Sequence, residues 1–136
     1  MLVRGYAPAC TKPNGFVQKG YPPPRCVLND GEYLAEIEDV FTFTNSHGDR
    51  LGVSYKLIAG PFAGAVLLQS TTFNAAHGGR MASLLRELLA REPTADELER
   101  GPAPERLRGV RCQVLAATKA TRSGTRYTYV EAATRA

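Results

Sequence analysis

The chain has 136 residues, 43% of them hydrophobic, with 17 Lys and Arg against 13 Asp and Glu and no Trp. That length and apolar content suit one compact domain with a single core, and three cysteines are too few to act as a disulfide framework. No apolar run reaches the roughly 18 to 20 residues of a membrane span, and the N-terminus lacks the apolar region of a secretory signal, so the expectation is a soluble, cytoplasmic protein. The net charge of +4 admits an anionic partner without establishing one.

Residues 1–30 contain Pro8, Pro13 and the run Pro22-Pro23-Pro24, with Arg4, Lys12, Lys19 and Arg25 against Asp30. Proline fixes φ and removes a backbone donor, so this stretch reads as an extended, basic arm, with Tyr6, Phe16 and Tyr21 interspersed. Residues 31–136 read as the folded domain. In residues 31–44 the near alternation of apolar and polar side chains predicts a long strand, with Tyr33, Ala35 and Ile37 on one face and Glu36 and Glu38 on the other. The phase changes near Asp39, as a bulge or bend would require, and leaves Phe41 and Phe43 equally fit for core or surface. Residues 45–49 form a turn by composition. In the next strand Leu51, Val53, Tyr55 and Leu57 alternate with Gly52, Ser54, Lys56 and Ile58, which places Tyr55 in the core and Lys56 outside. A second turn at 60–64 carries Phe62, and residues 65–73 supply a third strand.

The period then switches. Met81, Leu84, Leu85, Leu88 and Leu89 form one apolar face of a helix over 79–90, Pro93 stops it, and Thr94-Ala95-Asp96-Glu97 has the capping-box pattern that opens a second, acidic helix reaching Arg100. The acidic stretch 92–105 reads as a solvated helix face. Residues 107–117 and 125–132 read as a closing hairpin around the loop 118–124. Three meander strands, a helical insert and two further strands make a mainly β domain, and the architecture with that order is the five-stranded OB-fold barrel with a helical insert between strands three and four.

The residues carry a family resemblance in that order: Gly31-Glu32-Tyr33 opening the first strand, the turn Gly60-Pro61-Phe62-Ala63-Gly64, the insert Leu84-Leu85-Arg86-Glu87-Leu88-Leu89, and Leu107-Arg108-Gly109-Val110 leading into the fourth strand. The last strand, Gly124-Thr125-Arg126-Tyr127-Thr128-Tyr129-Val130, looks like the closing strand of OB-fold single-stranded DNA-binding proteins of the phage and mobile-element type. The resemblance covers about residues 31–132. It implies sequence-independent binding of single-stranded DNA in replication, recombination or transfer of a mobile element, with no enzymatic activity. The basic arm lies outside the family pattern, and so does the lack of an acidic C-terminal tail that would recruit replication or transfer proteins.

Single-strand binding needs cations for phosphates and flat side chains for bases. Residues 106–136 hold seven bases against Glu131 alone, whereas residues 31–44 hold four acids and no base. If Thr128 and Val130 face inward, Tyr127 and Tyr129 share the outer face; the alternative turns both tyrosines into the core. Tyr127 and Tyr129 are therefore the expected stacking residues, and Arg111, Lys119, Arg122 and Arg126 the expected phosphate contacts, with Lys56 and Phe62 as further candidates and Arg80 at the helix start a weaker one. Stacking and phosphate contacts do not distinguish sugars, so RNA satisfies the same chemistry. The alternative role is a protein-interaction module, an OB-fold adaptor of a replication or conjugation complex engaged through the arm's prolines or a barrel edge that could also pair two copies as a homodimer. Enzyme and cofactor readings find little support: His47 and His77 lack a nucleophile in a local signature, Cys10, Cys26 and Cys112 lack metal-ligand spacing, and His77-Gly78-Gly79-Arg80 lacks the Lys and hydroxyl of a phosphate loop.

Overall fold

The structure, a computed structural model, describes residues 27–74 and 78–136. The proline run, Cys10, Cys26 and His77 lie outside the described residues. The elements are β1 (Gly31–Asn45), β2 (Gly48–Leu57), β3 (Val66–Thr72), α1 (Arg80–Leu89), α2 (Ala95–Arg100), a 3-10 turn (Pro104–Arg106), β4 (Arg111–Ala120) and β5 (Arg126–Arg135). They form a five-stranded antiparallel sheet in the order β3-β2-β1-β4-β5. Its two edges, β3 and β5, curl toward each other, and α1 packs against both. No ladder joins them among the described residues, so the sheet is barrel-like but not closed.

β1 spans the middle of this curl. Its first residues, Gly31 to Glu36, pair with β4, and Ala35 to Asn45 pair with β2. Between Ile37 and Asp39 the register shifts by one residue. The Asp39 carboxylate holds the bulge by accepting from the Val40 N–H at 2.9 Å and from Arg108 Nη2 at 3.1 Å. The extra residue inverts the side-chain phase: Ala35 and Ile37 are buried before it and Val40 after it, so Phe41 and Phe43 turn to the outer face.

The core forms where the sequence alternation and the helical period meet. Leu51, Val53, Tyr55 and Leu57 from β2 pack against Met81, Leu85 and Leu88 of α1 and against Cys112, Val114 and Ala116 of β4. Burying each large aliphatic side chain contributes about 1.5 to 3 kcal/mol. The Tyr55 hydroxyl satisfies itself on Gln69 Oε1 at 2.6 Å, which makes its burial tolerable. Leu28 joins the core from outside the sheet; its N–H donates to Thr128 Oγ1 at 2.8 Å, and its carbonyl accepts from Thr118 and Thr128. α1 ends at Ala90, in the left-handed region at φ 59°, and Arg135 Nη1 donates to the Leu88 carbonyl at 2.9 Å, tying the helix to the end of β5.

Three expectations need correction. Residues 107–110 are not strand: Pro104 opens a 3-10 turn, Leu107 buries as a plug, and Gly109 sits at φ +85°, in the left-handed region that glycine enters without a Cβ clash. β4 therefore starts at Arg111. The closing loop is shorter than composition suggests, because Thr118, Lys119 and Ala120 pair with Thr128, Tyr127 and Arg126, and β5 continues to Arg135. The stretch 92–105 is not uniformly solvated, since Glu97 is buried. Its carboxylate accepts two 2.9 Å bonds from Arg91 and one from the Thr94 N–H, and the Thr94 hydroxyl accepts in return from the Glu97 N–H.

Candidate nucleic-acid interface

Alternation along β5 sets the site. Thr128 is held inside by Leu28, and Val130 is buried, so Tyr127 and Tyr129 lie together on the opposite, outer side, each half-buried. Their ring centroids are 6.1 Å apart at an interplanar angle of 51°. Lys119, opposite Tyr127 in the ladder, carries its ammonium 4.7 Å from the Tyr129 centroid and 6.0 Å from that of Tyr127. A cation held over a ring in this way gains about 0.5 to 1 kcal/mol at an exposed site.

These three residues line one wall of a groove of about 1170 Å³ that follows the open seam between β3 and β5. The other wall brings Phe43 and Arg50 from the β1–β2 hairpin, and the end near α1 brings Gly79 and Arg80. Arg50 donates from Nε to Ser70 Oγ at 3.0 Å and from Nη1 to Thr72 Oγ1 at 3.1 Å. Hydroxyls orient a guanidinium without neutralising it. Arg50, Arg80 and Lys119 make no ion pair among the described residues. Glu87 and Glu131 also line the groove, which is therefore cationic in part and not throughout. Glu131 is the unmatched residue at a second bulge, where Ala132 pairs with Leu115 and Val130 with Ala116.

The structure brings together Lys119, Tyr127 and Tyr129 and separates the other candidates from them. Arg111 stands at the far end of β4, eight positions from Lys119 and so about 26 Å away at about 3.3 Å per residue. It pairs in register with Glu36. Arg122 is exposed in the loop, and Arg126 is exposed but in phase with Thr128, off the tyrosine face. Lys56 is exposed on β2, also opposite Glu36, and does not line the groove. Phe62 packs edge-on against Tyr33, with centroids 6.2 Å apart, and against the core, as a barrel plug does. Two of the seven C-terminal cations are engaged structurally: Arg108 holds the β1 bulge, and Arg135 holds the end of α1. Arg50 is the residue that the focus on the C-terminal charge overlooked; its phase with Gly52, Ser54 and Lys56 already marked it as outward.

Of the remaining reactive groups, Cys112 sits apart from this site, whereas His47 lies at the rim of the groove. The Cys112 thiol is buried, and desolvation pushes its pKa up to about 11. His47 is exposed on the β1–β2 turn, its backbone N–H bonded to Asn45 Oδ1. Among the described residues no group of three or more His, Cys, Asp or Glu is placed to hold a metal ion, and no helix is long and apolar enough to cross a membrane. No family model, curated protein or solved structure matches the chain.

Proposed function

We propose that the chain is a non-enzymatic binder of single-stranded DNA, built on an open oligonucleotide-binding barrel and serving replication, recombination or transfer of a mobile element. The observation that carries this reading is the Tyr127–Tyr129 pair with Lys119 held over it. Support for the barrel comes from the strand order, the helices between β3 and β4, and the approach of β3 to β5. A tyrosine ring stacks on any base, so such a surface is indifferent to sequence, and stacking contributes about 1 to 3 kcal/mol per base. Lys119, Arg50 and Arg80 supply the complementary charge for the phosphates between stacked bases.

Three phosphate contacts on a single strand predict that log K falls with log salt at a slope of about −2, from about 0.7 per contact. Fluorescence anisotropy with a labelled thymidylate oligomer of roughly 30 nucleotides, a few footprints long, tests this at low and moderate salt. The Tyr127→Ala, Tyr129→Ala variant is expected to bind at least about 30-fold more weakly, the loss of two stacked bases at about 1 kcal/mol or more each. No binding by the unaltered chain at low salt would refute the function. Unchanged binding by the folded double variant would refute the site. Parallel titrations with a deoxyuridylate and a uridylate oligomer, which differ only in the sugar, decide whether the groove prefers deoxyribose.

A further inference from the structure

We infer that a second stacking platform borders the groove, formed by Phe43, which lines it with Arg50, and by Phe41 packed next to Phe43, so that one single strand crosses the seam from β5 to the β1–β2 hairpin. This rests on the reading of the groove as a nucleic-acid interface and extends it to a second wall. Phe41 and Phe43 are half-buried on the outer face, where the bulge at Asp39 has turned them away from the core. Their centroids lie 5.7 Å apart at 37°.

Gly52, opposite Phe41 in the ladder, shows how closely the pair is seated. A Cβ there would lie 2.7 Å from Phe41 Cζ and 3.1 Å from Phe43 Cε1. Both rings thus lie close over the bare backbone of Gly52, in space that any side chain there would fill. Phenylalanine has no hydroxyl, so the face so presented reads only the flatness of a base.

Arg50 completes the platform. It is opposite Phe43 in the ladder, and its bonds to Ser70 and Thr72 fix the guanidinium while Nη2 has no partner among the described residues. The guanidinium is held toward β3, between the phenylalanines on β1 and the seam, so it stands on the path from one aromatic pair to the other. Phe43 and Arg50 line the same groove as the tyrosines, so the two platforms face one ligand path. A flexible polyanion with a base at every repeat fits two such stations joined by cations; a compact ligand needs only one.

Oligomer length separates the two stations. Thymidylate oligomers of about 4 and about 12 nucleotides, toward the short and long ends of the footprints of such barrels, are titrated against the full chain at low salt. The unaltered chain is expected to bind the longer oligomer at least about 30-fold more tightly. The variant Phe41→Leu, Phe43→Leu keeps apolar cover over Gly52 and removes the flat faces; it is expected to bind the short oligomer as before and the long one at least 10-fold more weakly. Arg50→Gln, which leaves the rings in place, is expected to weaken the long oligomer and to lower its salt slope by about 0.7, the share of one phosphate contact. Folding of each variant is checked by its thermal melt. Unchanged binding of the long oligomer by both folded variants would overturn the inference, and so would equal losses at both lengths, because the phenylalanines would then belong to the tyrosine station. Failure of the unaltered chain to bind either oligomer would instead refute the underlying function.

Discussion

Replacing Glu97 by Gln tests the energetics of the insert between β3 and β4. Arg91 and the Thr94 N–H together hold the Glu97 carboxyl at about 2, against an ordinary value of 4.5, although burial opposes the shift. At about 1.36 kcal/mol per pKa unit the full shift corresponds to roughly 3 kcal/mol. The Glu97 side chain is 10% exposed but that of Arg91 is 40% exposed, so solvent screening reduces the contribution to roughly 1 to 2 kcal/mol. Because the folded-state pKa lies below the unfolded one, this stabilisation is complete above about pH 4.5, declines as the pH falls and is lost below about pH 2. Gln keeps an oxygen for the Thr94 N–H and loses the ion pair. Urea unfolding followed by circular dichroism is expected to show the variant about 1 to 2 kcal/mol less stable at pH 7, with the gap narrowing at pH 3. A gap of the same size at pH 7 and pH 3, or none at pH 7, would refute the assignment of stability to this pair.

Lys119→Gln removes one cation from the tyrosine platform and is expected to reduce the salt slope for single-strand binding by about 0.7 while lowering the thermal melt by at most a few degrees, the loss of its contact with the rings; an unchanged slope would place Lys119 outside the phosphate path. Leu85 is fully buried under the sheet, so Leu85→Ala is expected to lower stability by about 2 to 5 kcal/mol in urea unfolding, and a loss under about 1 kcal/mol would contradict its place in the core. Cys112, pushed up to about 11 by burial, is expected to resist alkylation at pH 8 in the native chain and to react fully in urea, as peptide mapping would show. Rapid native labelling of Cys112 would refute its burial. Tyr55→Phe deletes the bond to Gln69 and is expected to cost about 1 kcal/mol, measured by the same unfolding assay.

Period and phase were readable wherever one face of an element is buried. Leu51 to Leu57 alternated as they pack, Met81 to Leu89 followed the helical period, and Thr94 with Glu97 formed the capping box their spacing announced. Tyr127 and Tyr129 fell on the outer face for the same reason, since only one phase of β5 could supply Thr128 and Val130 to the interior. What escaped depends on contacts between segments distant in sequence. Nothing local marks Arg108 as the partner of Asp39, 69 positions away, or Arg135 as the anchor of Leu88, so a count of C-terminal cations overstated the charge free to meet a ligand. Lys119 sits among turn-forming residues and reads as loop, yet its pairing with Tyr127 places it on the strand and over the rings. Glu97 looked like surface because the bidentate Arg91 that offsets its burial is engaged only once the insert folds back on itself.

The two bulges have a consequence for how the surface can change. At Glu38 and again at Glu131, one strand carries a residue that has no opposite number in the ladder, and the inside and outside of the strand exchange there. The chain is thus punctuated like a text with a reading frame. Point substitutions of Phe41, Phe43, Tyr127 or Tyr129 edit single letters of the outer surface. Deleting one residue at either bulge would shift the frame, sending one aromatic pair toward the interior and the aliphatic residues of that strand toward water. Variation in this protein is therefore expected to exchange one flat ring for another at the outward positions and to be strict in the spacing that points them outward.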